Sequence, residues 1–397
     1  MSECSLSKSD ERIRIGRTWQ GKSRLARQRR IAKGTKPCQA DGDVSRASPE
    51  TVVHRGNDAP MLSTDSLSGL DLSRPDGTLN PMIITHAELL ATGMSAASVR
   101  HDVRRGDLLP LCRGVYVPRD DLPLDEQARH RLRVLGSATR SGYVVSHASA
   151  AVLHGLPVGW ADLSEVHMTR MRHGGGRLEA SRRVHAGVLD PEWYMVVDGV
   201  LVTTVARTVV DLAKIVPLYV AVGAADAAVH LRLCTMADLR AALQSVRGHP
   251  YSRRSQLAVS LVDGRSESPG ESRTRLVLNQ ARLPATELQI SIHDELGRFV
   301  GRADGGYTEA GVLWEFDGKT KYGRLLKPGQ SVLDVVLDEK ERESGFTELG
   351  WITVRVVNRD FAEVAGLRGR MMRALDRSTT PGWLPPRGHF VLTPRFA

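Results

Sequence analysis

Cysteine is scarce in this sequence of 397 residues, and its scarcity excludes two kinds of scaffold. A disulfide framework needs recurring cysteine pairs, and a structural zinc module needs Cys or His ligands at short spacing. Neither pattern occurs, since the cysteines lie far apart: Cys4, Cys38, Cys112 and Cys234. The HExxH, GxSxG and GxGxxG motifs are also absent, so the chemistries that they carry are not indicated.

Long apolar runs are missing as well. A membrane-spanning helix needs about 20 consecutive apolar residues. The longest candidate, Val209 to Val229, is interrupted by Asp211, Lys214 and Asp226. The basic N-terminus is not followed by the apolar segment of a secretory signal. We therefore expect a soluble cytoplasmic protein with no membrane partner.

Positive charge is in excess, with 55 Lys and Arg against 45 Asp and Glu, and most of that excess lies in residues 1–36. Residues 1–80 show no sustained apolar period, so they lack the apolar surface that a core needs. We expect a disordered basic tail there. Its basic half is either a nucleic-acid-binding arm or a solvated tail. An over-extended start is a further interpretation, with Met1, Met61 and Met82 as candidate starts.

Order is expected from Thr85 onward. Thr85 and Glu88 have capping-box spacing, and Ser95 can cap a second helix over Ala96 to Arg105 that stops at Gly106. The segment Leu108 to Val117 then predicts two short strands around a turn. Helix, turn, helix and hairpin is the order of a winged helix-turn-helix, which we assign to residues 81–120.

The polar side of the second predicted helix is basic, opposite its apolar positions Val99 and Val103. In a helix-turn-helix this side faces the major groove, where arginine bridges the acceptors of guanine or neutralises phosphates. A solvated basic helix face is the alternative interpretation. The candidate DNA-binding residues are Ser98, Arg100, His101, Arg104, Arg105 and Arg113.

Two further regions follow. Residues 121–265 alternate helical and strand-like patterns, which indicates an α/β middle domain. Residues 266–375 predict a compact mixed sheet flanked by helices, and residues 376–397 are Pro-rich and are expected to form an irregular tail. The fold class is therefore a multidomain α+β protein.

Carboxylates recur at the predicted strand ends of the C-terminal region. Asp304 closes one predicted strand, and Glu315 and Asp317 lie two residues apart on the next, so their side chains share a face. Hard oxygen ligands of this kind suit Mg²⁺ or Mn²⁺, and the bound ion can activate water for phosphodiester cleavage. Without a counter-charge the acids would repel one another and have raised pKa values. Additional catalytic candidates are Glu271, Lys319 and Lys321.

The run LLATGMSAASVRHDVRRGDLLPLCRGVYV resembles the N-terminal winged helix of AbiEi-type abortive-infection antitoxins. SHASAAVLHGLP and GVLVTTVARTVVDLA resemble the domain that follows in that family, with Arg207, Thr208, Asp211 and Asp226 at recurring positions. The resemblance implies DNA binding and a cognate toxin as partner. In a functional interpretation Asp211 and Asp226 contact a partner or substrate. We favour the alternative, in which Asp211 lies on the polar flank of an amphipathic helix, and we interpret His147 and His154 as packed histidines rather than metal ligands.

The order Glu271, Asp304, then Glu315-x-Asp317 resembles the PD-(D/E)XK nuclease superfamily, especially its branch related to very-short-patch-repair endonucleases. EKERESGFTELGWITVRVV is similar to the closing helix and strand of that branch. Asp317 stands where the superfamily usually has a lysine, so Lys319 or Lys321 must substitute or the step proceeds without it. Ala303 replaces the usual proline.

Two functions follow as hypotheses. In the first, the chain is a DNA-binding protein of the AbiEi antitoxin type that carries a metal-dependent endonuclease domain. In the second, it is a transcriptional regulator or antitoxin whose nuclease-like domain no longer cuts. The carboxylates favour the first, whereas Asp317 at the lysine position and the antitoxin resemblance favour the second.

Overall fold

The computed structural model describes residues 83–138, 142–159, 161–171, 176–179, 181–318 and 332–395. These residues contain 11 α-helices and 14 strands arranged in three sheets, each with its own buried core. The architecture is therefore mixed α/β with several domain-like parts. The predicted basic tail lies outside the described residues.

The N-terminal part is built from two short helices and a three-stranded antiparallel sheet of order β1-β3-β2. Thr85 and Glu88 form the predicted capping box, and Ser95 caps the second helix. Gly106 ends that helix at φ +80°, a conformation that favours glycine. The elements are β1 (Ile84–Thr85), α1 (His86–Ala91), α2 (Ala96–Arg105), β2 (Leu108–Cys112) and β3 (Val115–Pro118).

The helix α3 (Glu126–Ala138) joins this part to the middle of the chain. Leu132 of α3 packs against Val115 and Val117 of the β2–β3 hairpin. On the other side of the helix, His130 bonds to Ser149 in the next helix, with 2.8 Å between Nε2 and Oγ. One helix thus contacts both the hairpin and the middle part of the chain.

The middle part has a six-stranded mixed sheet of order β6-β7-β5-β4-β9-β8. Its strands are β4 (Val144–Val145), β5 (Val166–Met171), β6 (Arg177–Glu179), β7 (Arg182–Gly187), β8 (Tyr194–Val197) and β9 (Val200–Thr203). Its helices are α4 (His147–Leu153), α5 (Val205–Leu212), α6 (Leu218–His230), α7 (Met236–Ser245) and α8 (Ser252–Ser260). Many alanines on α4 and α6 are fully buried, which lets each of these helices pack closely against its own neighbours.

The C-terminal part has a five-stranded sheet of order β13-β12-β11-β10-β14, in which β12 and β13 are parallel and the other pairs antiparallel. Its strands are β10 (Glu287–His293), β11 (Phe299–Tyr307), β12 (Val312–Asp317), β13 (Ile352–Val357) and β14 (His389–Leu392). Its helices are α9 (Pro269–Gln280), α10 (Val332–Glu348) and α11 (Val364–Asp376). Trp314 and Leu278 are buried in its core.

The C-terminal segment differs from the prediction of an irregular tail over 376–397. Four of its residues form β14, which pairs with β10 in the register Ile290 opposite Leu392. Short strands at a sheet edge are specified by the backbone groups of the neighbouring strand, so a Pro-rich sequence gives little sign of them. In the described parts of the chain, no helix is both long and apolar enough to cross a membrane.

Candidate functional site

The strands β11 and β12 bring the predicted acids together. Gly305 lies opposite Trp314 in the antiparallel register of these strands. Asp304 and Glu315, the next residues on the two strands, are therefore neighbours. Glu315 and Asp317 project to one face of β12, and Trp314 is buried on the other. Asp304, Glu315 and Asp317 line one small cavity of about 20 Å³, together with Phe316, Glu339, Arg342 and Arg355. We call this the carboxylate cavity.

The sequence pattern predicted that Asp304 ends its strand, and this prediction is wrong. β11 continues to Tyr307 through Gly305 and Gly306, because glycine there leaves room for neighbouring side chains and backbone. The Asp304 Oδ2 atom accepts a hydrogen bond of 2.7 Å from the Phe316 backbone N–H. This bond holds the Asp304 carboxylate against β12.

The carboxylate cavity contains positively charged side chains, although the sequence had led us to expect acids without a counter-charge. Arg342 Nη2 on α10 lies 3.2 Å from Glu315 Oε1, and Arg355 Nη1 on β13 lies 4.0 Å from Asp317 Oδ2. The parallel register of β12 and β13 places Arg355 opposite Glu315. Sequence spacing missed both arginines because they come from elements far along the chain.

Arg355 is held by a wider acidic surround. Its Nη2 lies 3.1 Å from Glu339 Oε1 and 3.0 Å from Glu343 Oε2, both on α10. Burial opposes the charged guanidinium, but Glu343, Glu339, Glu315 and Asp317 together raise the pKa of Arg355. Arg355 therefore stays charged and ties α10 to the cavity.

Glu271 is buried at the first turn of α9, next to the cavity rather than in its lining. Ser268 caps this helix by accepting from the Glu271 N–H at 3.2 Å. Glu271 Oε2 accepts from the Glu267 N–H at 2.9 Å and from Gln289 Nε2 at 2.7 Å. Burial raises the pKa of Glu271 to about 7, and the Asp304 carboxylate adds to the rise. Glu271 and Asp304 thus interact electrostatically, although Glu271 does not line the carboxylate cavity.

Gln289 is a residue of this site that the sequence did not indicate. It is 2% exposed and lies on β10 at φ +54°, a conformation that is costly for a residue with a side chain. The β10–β11 pairs on either side of it are Leu288 with Gly305 and Ile290 with Ala303. Gln289 therefore stands level with Asp304 while its amide reaches Glu271. Lys319 and Lys321 lie outside the described residues.

The candidate DNA-binding residues form one surface on α2 and the hairpin turn. All six are exposed: Ser98, Arg100, His101, Arg104, Arg105 and Arg113. Arg100, Arg104 and Arg113 border an open groove of about 470 Å³ between α2 and the hairpin, where Tyr116 also lies. Arg105 pairs with Asp107 at 3.0 Å, so its charge is partly compensated. Part of the basic face therefore borders a groove rather than a flat surface.

Two aspartates of the middle part are buried in ion pairs. Asp211 is 2% exposed, not on a polar flank, and its two oxygens lie 2.8 Å from Arg207 Nε and 2.7 Å from Lys214 Nζ. Asp226 lies 2.8 Å from Arg275 Nη2, and burial raises the pKa of Asp226 to about 6. Asp226 thus joins α6 to α9, whereas Asp211 pairs within α5 and with the turn that follows it.

Comparison with known proteins finds similar proteins whose names state no activity. No family model matches the chain. It is 28% identical over 285 residues to an uncharacterized protein of Mycobacterium tuberculosis strain CDC 1551, and this alignment covers 70% of the chain and 97% of that protein. An uncharacterized protein of Mycobacterium tuberculosis strain H37Rv is similar to the same extent. The similarity extends over nearly the full length of both relatives.

Proposed function

We propose that this chain is a DNA-binding protein in which a winged helix delivers a metal-dependent endonuclease domain of the PD-(D/E)XK type to DNA. The observation that carries the proposal is the convergence of Asp304, Glu315 and Asp317 on the carboxylate cavity. Their oxygens suit Mg²⁺ or Mn²⁺, and such an ion supplies an activated water and a counter-charge for the phosphate.

The arginines of the carboxylate cavity have a part in this proposal. Arg342 and Arg355 compensate Glu315 and Asp317 as the structure stands. A divalent cation held by Asp304, Glu315 and Asp317 would take over that compensation and would free the Arg342 guanidinium for the phosphate of the substrate, whereas Arg355 keeps its contacts with Glu339 and Glu343. Guanidinium binds phosphate in a bidentate geometry, so Arg342 would then orient the scissile strand.

Delivery to DNA rests on the basic surface of α2 and the hairpin. The helix order, the exposed arginines and the groove beside Tyr116 support a winged helix with α2 as its recognition helix. The resemblance to AbiEi-type antitoxins supports the same assignment and adds a cognate toxin as a proposed partner. We also propose a cytoplasmic location, supported by the buried free thiol of Cys234.

A non-catalytic regulator or antitoxin is the second candidate function. The observation that favours it is that Arg342 and Arg355 pair with the acids, so the carboxylate cavity has counter-charges without a bound metal ion. Asp317 at the usual lysine position favours it too. In this case the C-terminal sheet serves as a scaffold, and DNA binding by α2 is the whole activity.

A cleavage assay separates the two functions. Purified full-length protein is incubated with supercoiled plasmid and with single-stranded DNA, in Mg²⁺, in Mn²⁺ and in chelator. The nuclease proposal expects metal-dependent cleavage that falls about 100-fold or more in Asp304→Asn and Glu315→Gln, since even changes behind metal ligands cost 10- to 100-fold. Glu309→Gln is the matched control, because Glu309 is exposed at the opposite end of β12. DNA binding without cleavage in any metal supports the regulator.

The DNA-binding surface is tested separately. Arg100→Ala with Arg104→Ala should weaken DNA binding and lower the slope of log affinity against log salt by about one for each phosphate that the variant no longer neutralises. Arg240→Ala is the control, since Arg240 is an exposed arginine on α7. An unchanged affinity and salt slope would remove α2 as the recognition helix.

A further inference from the structure

Three histidines of the middle part meet although they come from separate elements. His147 begins α4, His167 lies on β5 and His185 lies on β7. β5 and β7 are parallel with Thr169 opposite His185, so His167 and His185 share one face of the sheet. Candidate ligand atoms of the three side chains all lie within 4.8 Å of one another. We call this group the histidine cluster.

The geometry inside the histidine cluster is close. His167 Nδ1 and His185 Nε2 are 3.0 Å apart, and the rings of His147 and His185 stack with 3.7 Å between centroids. Nitrogens that share a tetrahedral zinc at about 2.0 Å lie roughly 3.3 Å apart. The His167–His185 pair already has nearly this separation, so a metal ion can take the place of the shared proton once the two rings turn their lone pairs toward it. The His147 ring stacks on that of His185 and must rotate about its Cβ–Cγ bond to complete the ligand set.

The backbone at His147 is held in an unfavourable conformation. Its φ of +53° lies in the left-handed region, which costs a residue other than glycine about 1–3 kcal/mol. Packing an isolated histidine in a core does not require this conformation. In this conformation the first residue of α4 lies with His167 and His185 in the histidine cluster.

Hydroxyl groups surround the histidine cluster from behind. Ser146 Oγ lies 3.0 Å from His147 Nδ1, and Thr169 Oγ1 donates to Ser146 Oγ at 2.9 Å. With Nδ1 as the donor in this bond, Nε2 of His147 carries the lone pair that a metal needs. Ligating histidines in metal sites are oriented in this way by a partner on the second ring nitrogen. The hydroxyls thus supply the outer contacts of a metal site.

The protonation state of the histidine cluster also suits a metal. Burial, followed by the His185 and His167 imidazoles, lowers the pKa of His147 well below its usual range. Burial and Arg183 lower the pKa of His167 to about 4, and burial and His167 lower that of His185 to about 4. The imidazoles are therefore neutral at pH 7, which is the form that binds metals.

We propose that His147, His167 and His185 bind one divalent transition-metal ion of the zinc class. Imidazole nitrogens select such ions over Mg²⁺, which prefers oxygen. Three protein ligands leave a fourth position for water or another small ligand, as in open zinc sites. His185 is only partly buried, so solvent reaches the histidine cluster on its side. The proposal is independent of the nuclease proposal.

Cobalt is the probe for this site. Full-length protein is stripped with chelator and titrated with Co²⁺ in excess Mg²⁺, which occupies oxygen sites. We expect one equivalent of Co²⁺ to give the intense visible bands of a four-coordinate ion with three nitrogen ligands, and Zn²⁺ to displace it. Wild-type protein that shows no such bands overturns the proposal without any variant.

Variants then assign the ligands. His167→Gln and His185→Gln should abolish the bands, and Ser146→Ala should weaken Co²⁺ binding about 10-fold, as expected for an outer contact. His154→Gln is the matched control, because His154 follows the same helix but bonds to the Thr203 carbonyl at 2.7 Å. Circular dichroism checks that each variant is folded. Bands that persist in both ligand variants place the cobalt elsewhere and overturn the proposal.

Discussion

The carboxylate cavity and the histidine cluster keep their polar groups together by different means. In the carboxylate cavity, Arg342 and Arg355 form ion pairs with Glu315 and Asp317. In the histidine cluster, buried imidazoles stay neutral and share protons with one another and with Ser146. A cation that enters the first site replaces positive charge already present, whereas one that enters the second adds charge to a neutral group. The two sites should therefore differ in their responses to pH and to metals.

The largest expected difference is in acid stability. His147, His167 and His185 have pKa values below 6.5 in the folded chain, so the unfolded chain binds more protons as the pH falls. The free energy of unfolding is therefore highest above about pH 6.5, where the histidines are neutral in both states, and it decreases as the pH falls toward 4. At about 1.4 kcal/mol per proton and pH unit, three protons taken up over roughly 1.5 pH units mean that metal-free protein should lose on the order of 6 kcal/mol between pH 7 and pH 5. Urea unfolding at several pH values measures this loss.

A variant assigns that loss to the histidine cluster. His167→Gln should reduce the slope of unfolding free energy against pH by about one proton's worth. The slope will not vanish, because burial and Arg133 also lower the pKa of His130 to about 4. An unchanged slope in His167→Gln would mean that the cluster is not neutral in the folded protein.

The next largest effect concerns metal selectivity. Mg²⁺ at about 100 times its dissociation constant should stabilise the wild type by about 2.7 kcal/mol. Asp304→Asn and Glu315→Gln should remove this gain and leave the chelated protein folded, whereas His185→Gln should keep it. Thermal unfolding in Mg²⁺ and in chelator measures each variant. Absence of the gain in His185→Gln would merge the two sites into one and break the comparison.

The smallest effect has the opposite pH dependence. Burial and Asp304 raise the pKa of Glu271 from 4.5 to about 7, so the folded chain holds a proton that the unfolded chain releases. Its contribution to stability is therefore present at low pH and is lost as the pH rises between 4.5 and about 7. The raised pKa means that the ionised carboxylate costs at most about 3 kcal/mol at pH 8. Glu271→Gln should recover about 1 kcal/mol of this, because a neutral amide accepts the hydrogen bonds from Glu267 and Gln289 less strongly than a carboxylate does, and it should have little effect at pH 5. Glu309→Gln, changed on the surface, should have no such dependence.

Local signals in the sequence predicted much of the fold. The Thr85–Glu88 capping box and the Ser95 cap depend on neighbours three residues apart, and both helices begin where these residues predict. The alternation of Glu315 and Asp317 likewise predicted one face of β12. Short-range geometry of this kind is independent of tertiary packing, so the sequence alone was sufficient.

The parts that the sequence did not predict depend on contacts between distant segments. His147, His167 and His185 are 20 and 18 residues apart, without the i, i+3 or i, i+4 spacing that indicates a shared helix face. Only the parallel pairing of β5 and β7 brings the last two together. The positive φ of Gln289 and the two cavity arginines have the same origin, since each results from register between strands or packing of α10.

The pairing of β14 with β10 has a consequence for synthesis on the ribosome. β10 is an inner strand only because β14 covers it, and β14 is translated far downstream of β10. Until β14 has left the exit tunnel, the backbone groups of Ile290 and Ile292 form an open sheet edge that nascent chains can add to. Fusing a slowly translated or bulky segment before β14 should therefore prolong dependence on chaperones, even though the finished fold is unchanged.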